Sequence, residues 1–263
     1  MISRALEGAL VAAAIALSAW RAGSLSRSGA LAAIVVGTAA VAAGWSWGAL
    51  LITYFLSSSL LTRVGTGAKA QRSGSIVAKG GARDATQVLA NGGVFAIAAT
   101  FQILYPSELW LAAGAGALAA SAADSWGTEL GMLANAPPRM ITTWRVVPTG
   151  TSGGVSIPGI AATAAGALFI ATAAWLLHTP PATAFAALIG GFAGALLDSF
   201  FGAIWQARLR CPQCGTATER LVHDCGTRTE RAGGLGWLDN DGINTACTLA
   251  GALVAAGSFA LRR

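Results

Sequence analysis

Long apolar runs alternate with short polar stretches along the whole chain, and most of the runs have the length of a membrane crossing. Eight are legible, at about 4–20, 29–44, 46–62, 86–105, 109–123, 156–177, 183–206 and 242–261, with about 20 residues per crossing as the ruler. The expected fold is all-α, a polytopic integral membrane helix bundle of about eight transmembrane helices. It forms one membrane domain over 1–263, with a cytoplasmic loop over 207–240. Runs two and three divide at Gly44-Trp45-Ser46-Trp47-Gly48, where the tryptophans suit an interfacial turn. The fifth run is short and reads as a broken or half-buried helix. The first, Ala5 to Trp20, lacks a small-residue cleavage site followed by a soluble domain and reads as a retained helix rather than a signal peptide.

Composition sharpens this picture. The chain is 54% hydrophobic and 11% charged, where soluble domains average about 25% charged, and its mean hydropathy is +0.61. Its 34 glycines and many alanines suit helices that must approach closely where no hydrophobic effect drives association. The net charge of +6 does not point to nucleic acid, because membrane proteins concentrate Lys and Arg in cytoplasmic loops. Over eight spans one side receives fourteen basic residues, and the other only Arg4, Arg262 and Arg263. Both termini are therefore expected outside. Fusing runs two and three would make the later loops alternate against this bias, which favours eight spans over seven. Each polar cluster (63–92, Asp124 to Ser156, Asp198 and 208–244) then falls on the cytoplasmic side, while the outer loops are short.

Five clusters carry candidate chemistry. Asp124 and Glu129 follow the small-residue run Leu111 to Ala123, where a helix should be leaving lipid. Intramembrane charge costs about 2.5–3.5 kcal/mol on insertion scales and usually serves a function. A helix unwinding at Gly127 would bring both acids around one Mg²⁺, which commonly takes one or two carboxylates and leaves other positions to water and phosphates. Alternatively they are helix-end charges in water. GGFAGALLDSFFG around Asp198 echoes GALAASAADSWG around Asp124, as an internal repeat with two acids meeting on one axis would. Arg83, Asp84, Gln87 and Asn91 recur at helical spacing and should share a face turned inward. Lys69, Arg72 and Lys79 in the same loop also suit anionic lipid head groups.

Pro148 to Ser156 (PTGTSGGVS) precedes a helix, so it is either an anion cradle of backbone N–H groups or a flexible connector, with Arg145, Thr142 and Thr143 upstream favouring the cradle. In Trp237 to Asn244, Asp239 suits a helix cap and Asp241 a first turn. Two acids and two asparagines exceed what a cap needs, so metal or nucleotide contact is favoured for Asp239, Asp241 and Asn244. Finally, Cys211-x2-Cys214 and His223-x-Cys225 offer four ligands of the kind a structural Zn²⁺ takes, although the second pair is not Cys-x2-Cys. A disulfide is disfavoured in the cytosol. Cys247 lies in an apolar helix and reads as packing.

GGARDATQVLANGGV, ADSWGTELG, PTGTSGGVS, LLDSFFGA and WLDNDGIN, in this order and across almost the whole chain, resemble the transmembrane-protein-nineteen family. That family includes the plant phytyl-phosphate kinase, and it is similar in style to the membrane phytol and dolichol kinases that use CTP. The Cys/His loop is not shared by all of its members. The resemblance implies phosphoryl transfer from a nucleoside triphosphate to an isoprenyl monophosphate, giving the diphosphate. It casts Asp124, Asp198, Asp239, Asp241 and Arg83 as catalytic, with Mg²⁺ held by those aspartates and Glu129. Lys69, Arg83, Asn91, Arg145, Gly150, Thr151, Ser152, Gly153, Gly154 and Asn244 would bind nucleotide or phosphate. The expected partners are a nucleoside triphosphate, an isoprenyl phosphate and membrane lipids, with no nucleic acid. The expected location is a prokaryotic cytoplasmic membrane with the site facing the cytoplasm. Two other classes use the same residues. One is a CTP-dependent lipid cytidylyltransferase. The other is a lipid-phosphate or anion transporter, which the almost purely apolar outer halves of the spans disfavour.

Overall fold

The bundle is built around one helix that is buried on every side. In the computed structural model, which describes residues 2–74, 76 and 81–262, α6 (Glu108–Leu133) is buried at every position from Ala112 to Ala123. A helix that is apolar all round belongs inside a larger assembly. Alanine and glycine make this possible, because their small side chains let neighbours come to backbone contact. Around α6 stand α3 (Trp45–Arg63), α5 (Ala85–Leu104), α7 (Ile157–Leu176), α8 (Pro181–Ile204) and α9 (Asn240–Ala260), while α2 (Arg27–Ala43) packs outside α3 and α5, and α1 (Ile2–Arg21) packs on α2. The short α4 (Thr66–Ser73) bends away from α3 by 70°. Lys79 lies outside the described residues, so its expected lipid contact is not addressed.

The tightest packing joins α6, α8 and α9 at Gly251. A Cβ on Gly251 would lie 2.6 Å from Ala120 Cβ and 2.8 Å from Gly116 O, and one on Gly190 would lie 2.3 Å from Gly251 O. The stripe Gly116–Ala120–Asp124 on α6 thus has a twin in Gly190–Gly194–Asp198 on α8, both at i, i+4, i+8. The echo between the two segments is a shared packing face, and each aspartate lies one turn past the last small contact.

Among the described residues, five helices are long and apolar enough to cross a membrane, or six if the bent pair α3 and α4 counts as one span; α2 is a shorter apolar helix of 17 residues. The outward faces carry exposed Leu10, Leu31, Leu60, Ile97, Leu168 and Leu253, the inverse of a soluble surface. The chain breaks at Gly44 as expected. Arg63, at the far end of α3, donates 2.8 Å hydrogen bonds to Ala22 O and Ser24 Oγ in the turn before α2. α3 therefore returns to the level where α2 began, and the two runs form a hairpin.

Run five requires correction. α6 is neither short nor broken: it continues through Asp124, Gly127 and Glu129 to Leu133. Gly127 serves close packing instead of unwinding, since a Cβ there would sit 2.2 Å from Thr163 Oγ1 on α7. Two small sheets stand at the polar end. β1 (Arg139–Met140) pairs antiparallel with β2 (Gly154–Val155), and β3 (Arg208–Arg210) pairs with both β4 (Ala217–Thr218) and β5 (Glu230–Gly233).

Candidate functional site

Asp124 and Asp198 face each other across the α6–α8 contact, their side chains within hydrogen-bonding range. Both are half-buried. Asp198 Oδ1 is inaccessible to solvent and, among the described residues, has no hydrogen-bond partner. Two carboxylates held together with an unused buried oxygen form a donor set suited to a divalent cation. Cys247 of α9 lies beside the pair. Asn244, one turn earlier, is on the same face of α9.

An apolar cleft lies on the other side of Tyr54 from this pair. It runs between α1, α2, α3 and α5 and encloses about 90 Å³, and its empty volume including the part open to the outside is about 800 Å³. Its walls include Ile15, Val36, Leu51, Phe55 and Val88, and its polar lining comes from Tyr54, Arg83, Gln87 and Asn91. Tyr54 connects the cleft to the acids, because its hydroxyl reaches Ser121 and Ser125 on α6, within the fields of Arg83 and Asp124. Arg83 is held from two sides. Its backbone bonds Ser24 O and Ser26 N in the α1–α2 turn, and its guanidinium donates to Ser59 Oγ at 3.1 Å and Thr62 Oγ1 at 3.5 Å.

Of the expected polar stripe, Arg83, Gln87 and Asn91 do line one cleft. Asp84 instead caps α5, accepting from Gln87 N while the Gln87 side chain accepts from Asp84 N. This reciprocal box satisfies two orphan amides of the first turn.

Several expected ligands lie elsewhere. Glu129 is five residues from Asp124 on a continuous helix, so the two point in different directions. It accepts from Thr62 Oγ1 at 2.7 Å and pairs with Lys69 Nζ at 2.5 Å. Lys69 is buried, and it also donates to Leu61 O. The Mg²⁺ role for Glu129 and the lipid or phosphate role for Lys69 are corrected to a buried ion pair that pins α4 against α6. Arg72 likewise donates to Leu133 O, Ala134 O and Asn135 Oδ1, closing the C-terminus of α6. Lys69→Met alone should lower stability by about 1–3 kcal/mol, because it leaves a half-buried carboxylate with Thr62 as its remaining partner. Adding Glu129→Gln should restore most of that loss in a melting curve.

The expected phosphate cradle is also largely occupied. Ser156 caps α7 by accepting from Gly159 N, and Pro158 has no N–H to offer. Ser152 donates to Gln206 Oε1 at 2.6 Å, and Gly153 lies against the Ala203 backbone, so the 150–154 loop is clamped onto α8. Arg145 is exposed in the connection between β1 and β2. Asp239 is exposed and caps α9, accepting from Gly242 N at 3.0 Å, and Asp241 is 3% exposed in the first turn. Among the described residues the five expected acids do not converge as a set of three or more, and only Asp124 and Asp198 face each other.

The model of the integral membrane protein family DUF92 matches residues 10–252. The chain belongs to this family. Among its relatives, Protein PGR of Arabidopsis thaliana is 32% identical over 92% of this chain and 91% of its own length. An uncharacterised membrane protein of Methanocaldococcus jannaschii is 33% identical over 63% of this chain and 67% of its own. Protein VTE6, chloroplastic, of Arabidopsis thaliana is 27% identical over 88% of this chain and 64% of its own. No solved structure matches. Family membership places this fold among integral membrane proteins and agrees with the resemblance that the motifs carry.

Sequence reasoning missed some of the site in this DUF92 chain. Tyr54 and Thr62 stand in the apolar helix α3 with no motif around them. Their signal is a lone hydroxyl at a position that turns inward, visible only once α3 is known to fold back. Gln206 and Glu219 were missed too. Gln206 Nε2 donates to Glu219 Oε1 at 2.7 Å, and Glu219 acts electrostatically on Asp198.

The four candidate zinc ligands do converge. Cys211, Cys214, His223 and Cys225 present ligand atoms within 4.8 Å of one another. Hydrogen bonds with Thr227 and His223 draw the Cys225 thiol down to about 6. Cys214 is pushed up to about 11, chiefly by its hydrogen bond with Cys225.

Proposed function

We propose that this chain is a membrane kinase that transfers a phosphoryl group from a nucleoside triphosphate, CTP being favoured, to an isoprenyl monophosphate such as phytyl or geranylgeranyl phosphate. The observation that carries this reading is the apolar cleft lined by Arg83 and Tyr54, with the Asp124–Asp198 pair on the far side of Tyr54. An isoprenyl phosphate has that polarity: a long apolar tail and one dianionic end. DUF92 membership, the resemblance to the family of the plant phytyl-phosphate kinase, and the alignment with VTE6 support an isoprenoid-related membrane enzyme.

In this reading the tail lies between α1, α2, α3 and α5, and Arg83 and Asn91 meet the acceptor phosphate at the polar end. An acceptor phosphate oxygen attacks the terminal phosphorus of the donor. The bond to the bridging oxygen breaks, and a nucleoside diphosphate leaves. The acceptor is already ionised, so no strong general base is required, and positioning with charge neutralisation accounts for most of the catalysis. A Mg²⁺ ion held by Asp124 and Asp198 would supply that neutralisation when bound. Asp198 fits the role through its unpartnered oxygen. Ser121 and Ser125 fix Tyr54 between the cleft and the acid pair, and the site would face the cytoplasm, where nucleotides are.

The test is a product assay on detergent-purified protein with Mg²⁺, each of CTP, ATP, GTP and UTP, and geranylgeranyl or phytyl monophosphate. The expected result is the isoprenyl diphosphate with one nucleoside diphosphate per turnover. Pyrophosphate with a nucleotidyl lipid would make the chain a cytidylyltransferase instead. Folded protein that binds lipid phosphate but turns over no donor would make it a transporter.

A further inference from the structure

The segment between α8 and α9 has almost no apolar core. From 207 to 239 the buried residues are Cys211, Thr218 and His223, and none is a large hydrophobe. Its three strands are two to four residues long. Sheets this small are marginal without a staple such as a metal or a disulfide. Two similar turns meet at their centre. In the first, Cys211-Pro-Gln-Cys214-Gly215, Gly215 N donates to Cys211 O at 2.9 Å and Cys214 N to Cys211 Sγ at 3.4 Å, with Gly215 at φ 68. In the second, His223-Asp-Cys225-Gly226, Gly226 N donates to His223 O at 2.8 Å and Cys225 N to His223 Nδ1 at 3.4 Å, with Gly226 at φ 83. Each turn thus offers two ligand atoms and closes on a glycine in the left-handed region, where other residues are strained. The second turn is one residue shorter, and the longer reach of the imidazole compensates.

From this geometry we propose that Cys211, Cys214, His223 through Nδ1, and Cys225 bind one structural Zn²⁺ that holds the β3–β5 ribbon together. The Cys211 and Cys225 sulfurs are 3.6 Å apart, and His223 Nδ1 is 3.1 Å from Cys225 Sγ. Zn–S near 2.3 Å and Zn–N near 2.0 Å in a tetrahedron require ligand separations of about 3.5–3.8 Å, so small shifts complete the site. All four ligands being supplied by protein leaves no open position, which makes the site structural. Its consequence reaches the acid pair. Thr218 and Glu219 follow the first turn, and Glu219 accepts from Gln206, which accepts from Ser152. Zinc therefore positions the ribbon over the end of α8, independently of which reaction the chain catalyses.

The test is metal analysis of the full chain, purified in detergent from zinc-supplemented cells without chelator. The expected result is one zinc per chain, kept in Cys247→Ser and lost by at least tenfold in Cys214→Ser. Because a ligand variant can fail to fold, the wild-type protein is also exchanged with Co²⁺. Thiolate charge-transfer bands with tetrahedral d–d bands support the site. Chelation should also speed tryptic cleavage at Arg210, Arg220 and Arg228. Folded protein with no zinc after reconstitution, another metal at one equivalent, or the loss of two titratable thiols to a Cys211–Cys225 disulfide would each overturn the assignment.

Discussion

Asp124→Asn is expected to leave the chain folded, to raise its melting temperature and to stop turnover. The two carboxyl groups at the α6–α8 contact stand together in a half-buried site, and ionising both at short range opposes the fold unless a cation sits between them. An amide of nearly the same shape removes one charge without leaving a cavity. For a chain of this size each kcal/mol gained is about 2–4 °C of melting temperature, so a rise of a few degrees without added Mg²⁺ is the expected scale. Loss of one preorganised group that neutralises transition-state charge typically costs about 10²–10³ in kcat. Asp198→Asn should behave alike. The double variant should add little, because residues acting as one unit are strongly non-additive. A variant that melts earlier yet keeps full turnover would make the pair a structural hydrogen bond. The opposition of the two readouts carries the argument, since a purely structural role gives no gain in stability together with a loss of turnover.

Gly251→Val has the other large expected effect, through packing rather than chemistry. A Cβ at that position already meets Ala120 Cβ at 2.6 Å and the Gly116 and Gly190 carbonyls at 2.8 and 3.3 Å. These atoms belong to backbone or to side chains too short to rotate away, so α6, α8 and α9 must separate. Overpacking a tight core costs about 1–3 kcal/mol or more, and here it also parts Asp124 from Asp198 one turn away. The variant is expected to give little monodisperse protein in detergent, and what folds should have lost turnover. Gly257→Ala is the control on the same helix. Nothing lies within 4 Å of its added methyl group, and removing a helical glycine gains up to about 1 kcal/mol. Size-exclusion profiles and melting curves of the two variants check both expectations.

Much of this was legible in the sequence, and what was not has a physical cause. The apolar runs gave the helices closely, and the Gly44 break and the Asp124/Asp198 echo are local patterns that survive into the structure. The Cys-x2-Cys and His-x-Cys pairs predicted their own meeting. What failed was inference about partners far along the chain. The pairing of Lys69 with Glu129, sixty residues apart, depends on how α4 bends back, which no period reveals. Gly127 read as a hinge because glycine disfavours helices, but contact with Thr163 on α7 overrides that propensity. Asp239 and Ser156 carried ligand-like composition, yet each is occupied by its own helix terminus, the commonest use of such residues. Tyr54 had only a lone hydroxyl as its signal, because its role comes from lying between the cleft and the α6 serines.

The most direct measurement is formation of isoprenyl diphosphate from geranylgeranyl monophosphate, with CTP and Mg²⁺, by wild type and Asp124→Asn purified in the same detergent. The predicted result is diphosphate and CDP in equal amounts from wild type, with at least a hundredfold less from a variant shown to be folded. Equal rates from the two proteins, or no diphosphate from folded wild type with any of the four nucleotides, would contradict the assignment of the Asp124–Asp198 pair as the centre of a phosphoryl-transfer site.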